Sequence, residues 1–244
     1  MIKSLENASV NLLHWGKDNH PVLVIDDFHT EPEQLVSSIN STAVFSHQSN
    51  DLYPGVRAPA DNQYVKWVNQ KLTDLVLPIL KHHGHIAASA TLNTEPFCLY
   101  SMANLPATKL LPIQCIPHFD TVKEAGKNSE FPTQWALVHY LFDAPLGGTG
   151  FFCHRSSGLE AVNTTTLKRY QRTLKDDIYK LGKPKQAFLQ TQHPLFSLET
   201  HVEATFNRAV LYPAHVLHSG LVDEGNIMQS GQQRLTGNAL MTIS

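Results

Sequence analysis

Asn207-Arg208-Ala209-Val210-Leu211-Tyr212-Pro213-Ala214-His215-Val216-Leu217-His218-Ser219-Gly220 reads as strand, turn, strand, the pattern of a β-type core. The apolar run 207–212 has strand composition, Pro213-Ala214 breaks it, and 216–222 resumes it, now with histidines at its start. Further short β-type runs lie on either side, at 97–102, 110–117, 135–142, 149–154, 196–203 and 234–243. Turn signals such as Asp143-Ala144-Pro145-Leu146-Gly147-Gly148 separate them. One helix interrupts the series: Thr164 to Leu181 carries Leu167, Tyr170, Leu174, Ile178 and Leu181 on one stripe, stopped by Gly182 and Pro184.

Before residue 90 the pattern differs. Pro21–Ile25 is a continuous apolar run ending at Asp26-Asp27-Phe28, as in a buried strand. Thr30-x-x-Glu33 with Pro32 inside predicts a capping-box start for a helix over about 31–40. Asp61 caps a second helix through Val65, Val68, Leu72, Val76 and Leu80, closing at His83-Gly84. The reading is one domain over 1–244, with a helical support region over 1–90 and a β core over 91–244. Short strands after a helical part predict a mainly β sandwich or jelly roll with flanking helices and a helical insert near 164–181.

Composition narrows the function. The 244 residues carry 19 Lys and Arg against 21 Asp and Glu, so a generic electrostatic grip on nucleic acid is disfavoured. Three widely spaced cysteines, Cys98, Cys115 and Cys153, make no disulfide framework. Met1–Asn7 has no basic start followed by an apolar stretch, and apolar runs such as Leu75–Leu80 are far too short to span a bilayer. A reducing cytoplasm and no membrane are the expectation. The segment 168–185 sets seven lysines and arginines against two aspartates. Its default role is a solvated helix face; its alternative is to attract an anionic substrate or partner.

Histidine stands out, with 14 copies. In an extended segment residues i and i+2 share a face, so His-x-Asp or His-x-Glu offers an imidazole and a carboxylate to one ion. Three such pairs occur: His29-x-Glu31, His118-x-Asp120 and His201-x-Glu203. The first falls in a helix start, and context favours His118 and Asp120. A histidine from the 215–218 turn would complete a set of two imidazoles and one carboxylate, the facial arrangement suited to non-haem iron(II). Arg234-x-Thr236 opens the last strand with a guanidinium fork beside a hydroxyl, which suits a small carboxylate. The Lys81-His82-His83-Gly84-His85 cluster reads as a helix end instead of a metal tract. Cys115-x-x-His118 lacks the second pair that a zinc finger needs.

These pieces, in this order, resemble the iron(II)- and 2-oxoglutarate-dependent dioxygenases in their prolyl-hydroxylase-like branch. The resemblance rests on Pro117-His118-Phe119-Asp120, His139-Tyr140-Leu141-Phe142, Gly147-Gly148-Thr149-Gly150-Phe151, Leu211-Tyr212-Pro213 followed by a histidine, and Arg234-x-Thr236. It covers roughly 97–243, and Leu23–Phe28 is similar to the family's first strand. It implies a double-stranded β-helix (jelly-roll) core with Fe(II) on His118, Asp120 and His218, His215 being the rival third ligand. It implies 2-oxoglutarate on Arg234 and Thr236, with Tyr140 touching the same carboxylate, and ascorbate as an accessory. The segment 223–233 would then be a loop insertion.

The implied activity is C–H hydroxylation of a small molecule, amino acid or peptidyl side chain, with release of succinate and CO2. Two other readings stay open: a cupin-like metal enzyme that does not use 2-oxoglutarate, and a non-catalytic jelly-roll binding module. The loop Thr121–Gln134, the insert 155–195 and His154-Arg155 are the expected substrate-facing elements.

Overall fold

The computed structural model describes residues 9–47, 52–123 and 131–244. Met1–Asn7, and 124–130 of the loop expected to face the substrate, lie outside the described residues. Among the described residues ten strands form two antiparallel sheets. They are β1 (Val10–Trp15), β2 (His20–Ile25), β3 (Val56–Pro59), β4 (Phe97–Ala103), β5 (Gln134–Tyr140), β6 (Thr149–His154), β7 (Phe196–Val202), β8 (Ala209–Pro213), β9 (His218–Gly220) and β10 (Arg234–Thr242). The larger sheet runs β1-β2-β8-β5-β10-β4-β3 and the smaller β7-β6-β9. This is a double-stranded β-helix, in which the two sheets face each other across the barrel.

Strand alternation sorts the core. Along β2, Leu23 and Ile25 pack with the outer helices, whereas Val22 and Val24 join Trp15, Phe151 and Tyr212 inside the barrel. The outer layer comes from α1 (Pro32–Thr42) and from a longer helical stretch. That stretch consists of α2 (Asn62–Lys71), a wide turn of π type at Leu72–Val76, and α3 (Leu77–His82). Asp61 caps α2 as expected, accepting the amides of Gln63 and Tyr64. Pro78 cannot donate in the ladder, and the wide turn directly before it accommodates that gap. The stretch ends at His82–Gly84, with Gly84 at φ +70°, so the histidine cluster is a helix end. No helix among the described residues is long and apolar enough to cross a membrane.

Four local expectations are corrected. The run 110–117 is not a strand: short 3-10 turns occupy Ala107–Lys109 and Pro112–Cys115. Pro106, Pro112 and Pro117 fix φ and remove ladder donors there. Helix α1 begins without the capping box, since Glu31 is its N-cap and makes no side-chain cap bond. Segment 223–233 contains α5 (Glu224–Ser230), capped by Asp223 and ended by Gly231 at φ +64°. The insert helix α4 starts later than expected, at Leu167–Leu181, after the Asn163 side chain has accepted the amides of Thr165 and Thr166.

Candidate metal and carboxylate site

Backbone pairing at the small sheet positions the candidate ligands. Although 110–117 is not a strand, His118 exchanges both backbone hydrogen bonds with His218, N–H to O at 2.9 and 2.8 Å. The Asp120 amide donates to the Ala214 carbonyl at 2.8 Å. His118 and His218 therefore face each other, with ring centroids 4.4 Å apart. Asp120 stands between them, Oδ1 3.7 Å from His118 Nε2 and Oδ2 3.5 Å from His218 Nε2. The three donor atoms lie within 4.8 Å of one another.

The chemistry of these donors fits a divalent iron ion. His218 Nδ1 sits 3.0 Å from the Val216 carbonyl oxygen, which holds the proton on Nδ1 and leaves a lone pair on Nε2. The His118 side chain is about half exposed at the cavity, and partial desolvation, then the His218 imidazole beside it, lowers its pKa, which favours the neutral, ligating ring near pH 7. The rival, His215, is buried elsewhere, its ring edge-on to His20 at 6.2 Å.

The three residues open on a cavity of about 480 Å³ that also takes in Arg234, Thr236, Asn238, Thr149 and Tyr212. Arg234, at the start of β10, is 5% exposed. Its Nε donates to the Gly147 carbonyl at 3.2 Å and its Nη2 to that of Gly148 at 3.1 Å. The rings of Phe142 and Tyr140 flank the guanidinium at 5.5 and 5.9 Å. Among the described residues no carboxylate pairs with it. A buried guanidinium without an anion is costly, and three of its five N–H groups remain for a ligand.

The Gly147-Gly148 pair explains itself here. At Gly147, with φ +89°, a Cβ would overlap the Leu221 carbonyl, so only glycine can bring this backbone under the arginine.

The remaining expected residues divide. Thr236 is buried in the cavity wall, its hydroxyl 3.4 Å from the Ser101 carbonyl and 3.1 Å from Asn238 Nδ2. Tyr140 is not among the cavity-lining residues; its hydroxyl is engaged by Thr149 Oγ1 at 2.7 Å, one layer behind. The unassigned tyrosine is Tyr212. It lines the cavity, its ring is 4.6 Å from that of His218, and its hydroxyl has no hydrogen-bond partner among the described residues. Burial, then the Asp120 and Tyr140 charges, pushes its pKa upward, so it is a neutral donor. The period-two spacing that pairs Arg234 with Thr236 extends one step further along β10, to Asn238, which also lines the cavity.

Of the expected substrate-facing elements, the insert contributes Phe188 and Leu189 to the cavity. Leu52, Phe97 and Ile113, all substantially exposed, make an apolar rim. His154 does not face the cavity. It is fully buried between Ser157, Asp177 and Phe196. The lysines and arginines of 168–185 are solvent-exposed or nearly so, matching a solvated face.

Fold and site together define a jelly-roll protein with a cluster of two histidines and one aspartate beside a buried arginine. A family described as "Family of unknown function (DUF6445)" matches residues 6–241, and the chain belongs to that family. No curated protein matches. Among solved structures, iron-bound HygX from Streptomyces hygroscopicus superposes with a TM-score of 0.52 at 11% identity, over 92% of this chain and 83% of that one. HygX with nickel and 2-oxoglutarate bound gives 0.49 at 13% identity, over 92% and 84%. A Pseudomonas putida prolyl-4-hydroxylase gives 0.46 at 13% identity, over 92% and 94%. At these identities the likeness is one of fold.

Proposed function

We propose that the protein is an iron(II)- and 2-oxoglutarate-dependent oxygenase that hydroxylates a C–H bond of a small molecule, an amino acid or a peptidyl side chain. One observation carries the reading: the cavity that holds His118, Asp120 and His218 also holds a buried arginine with no carboxylate among the described residues to neutralise it. A cupin-like enzyme that does not use 2-oxoglutarate has no use for that cation. The shared fold with iron-bound HygX supports the same choice.

In this reading His118, Asp120 and His218 hold the iron. Arg234 clamps the distal carboxylate of 2-oxoglutarate, with Thr236 and Tyr212 as hydroxyl partners. When bound, iron and 2-oxoglutarate together with dioxygen supply the oxidising power for C–H cleavage, with succinate and CO2 as co-products. The chain's own contribution is placement and exclusion of water. The rigid His118–His218 backbone pair fixes the ligand rings, Arg234 orients the keto acid, and the apolar rim of Leu52, Phe97 and Ile113, with Phe188 inside it, covers the substrate.

The test is a succinate-release screen over pooled amino acids, peptides and metabolites, with Fe(II) and ascorbate present. The expected result is release above the substrate-free background for at least one pool, lost in Asp120→Ala. Background release that is the same in folded wild type and Asp120→Ala with every pool contradicts the proposal.

A further inference from the structure

Away from the cavity, the turn between β1 and β2 meets the segment after β6 around a second cluster of ligand-type side chains. Glu160 is buried, and its carboxylate accepts the amides of Lys17 at 3.0 Å and Asp18 at 3.3 Å. Gly16, at φ +68°, permits this approach, since a Cβ there would overlap the carboxylate. Each Glu160 oxygen keeps a lone pair after these bonds. His20 opens β2 directly below the turn and is 9% exposed. Its Nε2 is shut off from solvent and has no hydrogen-bond partner among the described residues. That atom points into the cluster, 3.6 Å from Glu160 Oε2 and 3.9 Å from Asp18 Oδ2. All three donors lie within 4.8 Å of one another.

A hairpin that needed only bracing would be complete with the two amide bonds to Glu160. The unpartnered imidazole nitrogen and the Asp18 carboxylate are then unexplained. Ligand atoms bound at about 2.1 Å to one tetrahedral ion stand about 3.4 Å apart, near the separations seen here. We propose that Asp18, His20 and Glu160 form a second divalent-cation site, of the mixed imidazole and carboxylate kind that takes zinc, and that the ion ties the β1–β2 turn to the segment after β6. Two carboxylates balance the dication, while Lys17 and Lys123, the cations facing His20, limit its affinity. Burial lowers the His20 pKa and keeps its ring neutral and able to bind.

The site is independent of the oxygenase reading, and its test is run with the first site disabled. A folded His118→Ala/Asp120→Ala protein is titrated with zinc by calorimetry, and its thermal unfolding is followed with and without the metal. One equivalent should bind and raise Tm. Asp18→Asn, an exposed change that cannot disturb the core, should weaken zinc binding at least about tenfold without altering Tm in the absence of metal. His20→Gln should abolish both binding and the Tm rise. No zinc bound by the double variant at about 100 µM would overturn the site. Binding that survives both Asp18→Asn and His20→Gln would assign the ion to other surface histidines and would equally overturn it.

Discussion

Replacing Arg234 tests the carboxylate clamp with the largest expected signal. In Arg234→Leu the charge-assisted pair with 2-oxoglutarate disappears while all three candidate iron ligands remain. Truncating one partner of a buried, hydrogen-bonded charge pair costs about 2–5 kcal/mol, or roughly 30-fold to several thousand-fold in affinity at about 1.4 kcal/mol per tenfold. Arg234 is 5% exposed and has no protein counter-ion among the described residues, which places the expected loss in the upper part of that range, at about 10³-fold. Folding is perturbed as well, because the Gly147 and Gly148 carbonyls lose their donors, at about 1–3 kcal/mol each. Arg234→Lys is therefore the companion variant, since it keeps the positive charge and loses the planar fork.

The assay is calorimetric titration of 2-oxoglutarate into the Fe(II)-loaded protein without oxygen, with Fe(II) affinity measured separately. Fe(II) binding should change little in either variant. The keto acid should raise the Tm of wild type but not of Arg234→Leu. A folded Arg234→Leu protein that binds 2-oxoglutarate within about threefold of wild type would refute the reasoning.

Two further predictions concern the tyrosines Tyr212 and Tyr140 and a buried histidine. Tyr212→Phe removes the free cavity hydroxyl but keeps its ring against His218, so 2-oxoglutarate should bind about 5–20-fold more weakly, with unchanged Fe(II) affinity and Tm. Tyr140→Phe should instead lower stability, through loss of its bond to Thr149; the reverse pattern would return Tyr140 to the cavity. The second concerns acid lability. His139 is fully buried between the Tyr64 hydroxyl and Asn207 Oδ1, and desolvation lowers its pKa to about 3. A histidine whose pKa is lower folded than unfolded contributes stability in full above pH 6.5 and loses it as pH falls towards the folded value. At pH 5 the loss from this one ring is about 2 kcal/mol. Proton uptake on unfolding near pH 5, from the slope of stability against pH, should fall by about one in His139→Gln; an unchanged slope contradicts this.

The C-terminal half was the more legible because its strands are bounded by turn residues and carry chemistry at fixed intervals. The run 149–154 corresponds residue for residue to β6. The same logic failed at 110–117, where hydrophobic composition suggested a strand and Pro112 and Pro117 forbade it. His118 and Asp120 nevertheless face the cavity, because the pairing with His218 and Ala214 supplies what a strand would have supplied. β1 and β3 escaped notice because both are edge strands at the ends of the large sheet, half-exposed and without clear alternation. Tyr140 and Tyr212 differ in the layer each ring occupies. Motif order places both tyrosines near Arg234, and only packing decides whose hydroxyl reaches the cavity. The second metal cluster was illegible for a similar reason, since Asp18-x-His20 acquires meaning only when the fold brings Glu160 to it.

In the proposed enzyme iron and 2-oxoglutarate meet on His118, Asp120, His218 and Arg234. The most direct measurement is the visible spectrum of the folded, oxygen-free protein on addition of Fe(II) and then 2-oxoglutarate. The expected result is a weak charge-transfer band that needs both additions, is missing in Asp120→Ala, and in Arg234→Leu appears only at much higher 2-oxoglutarate. A folded wild-type protein that develops no band, or a band that persists in Asp120→Ala, would contradict it.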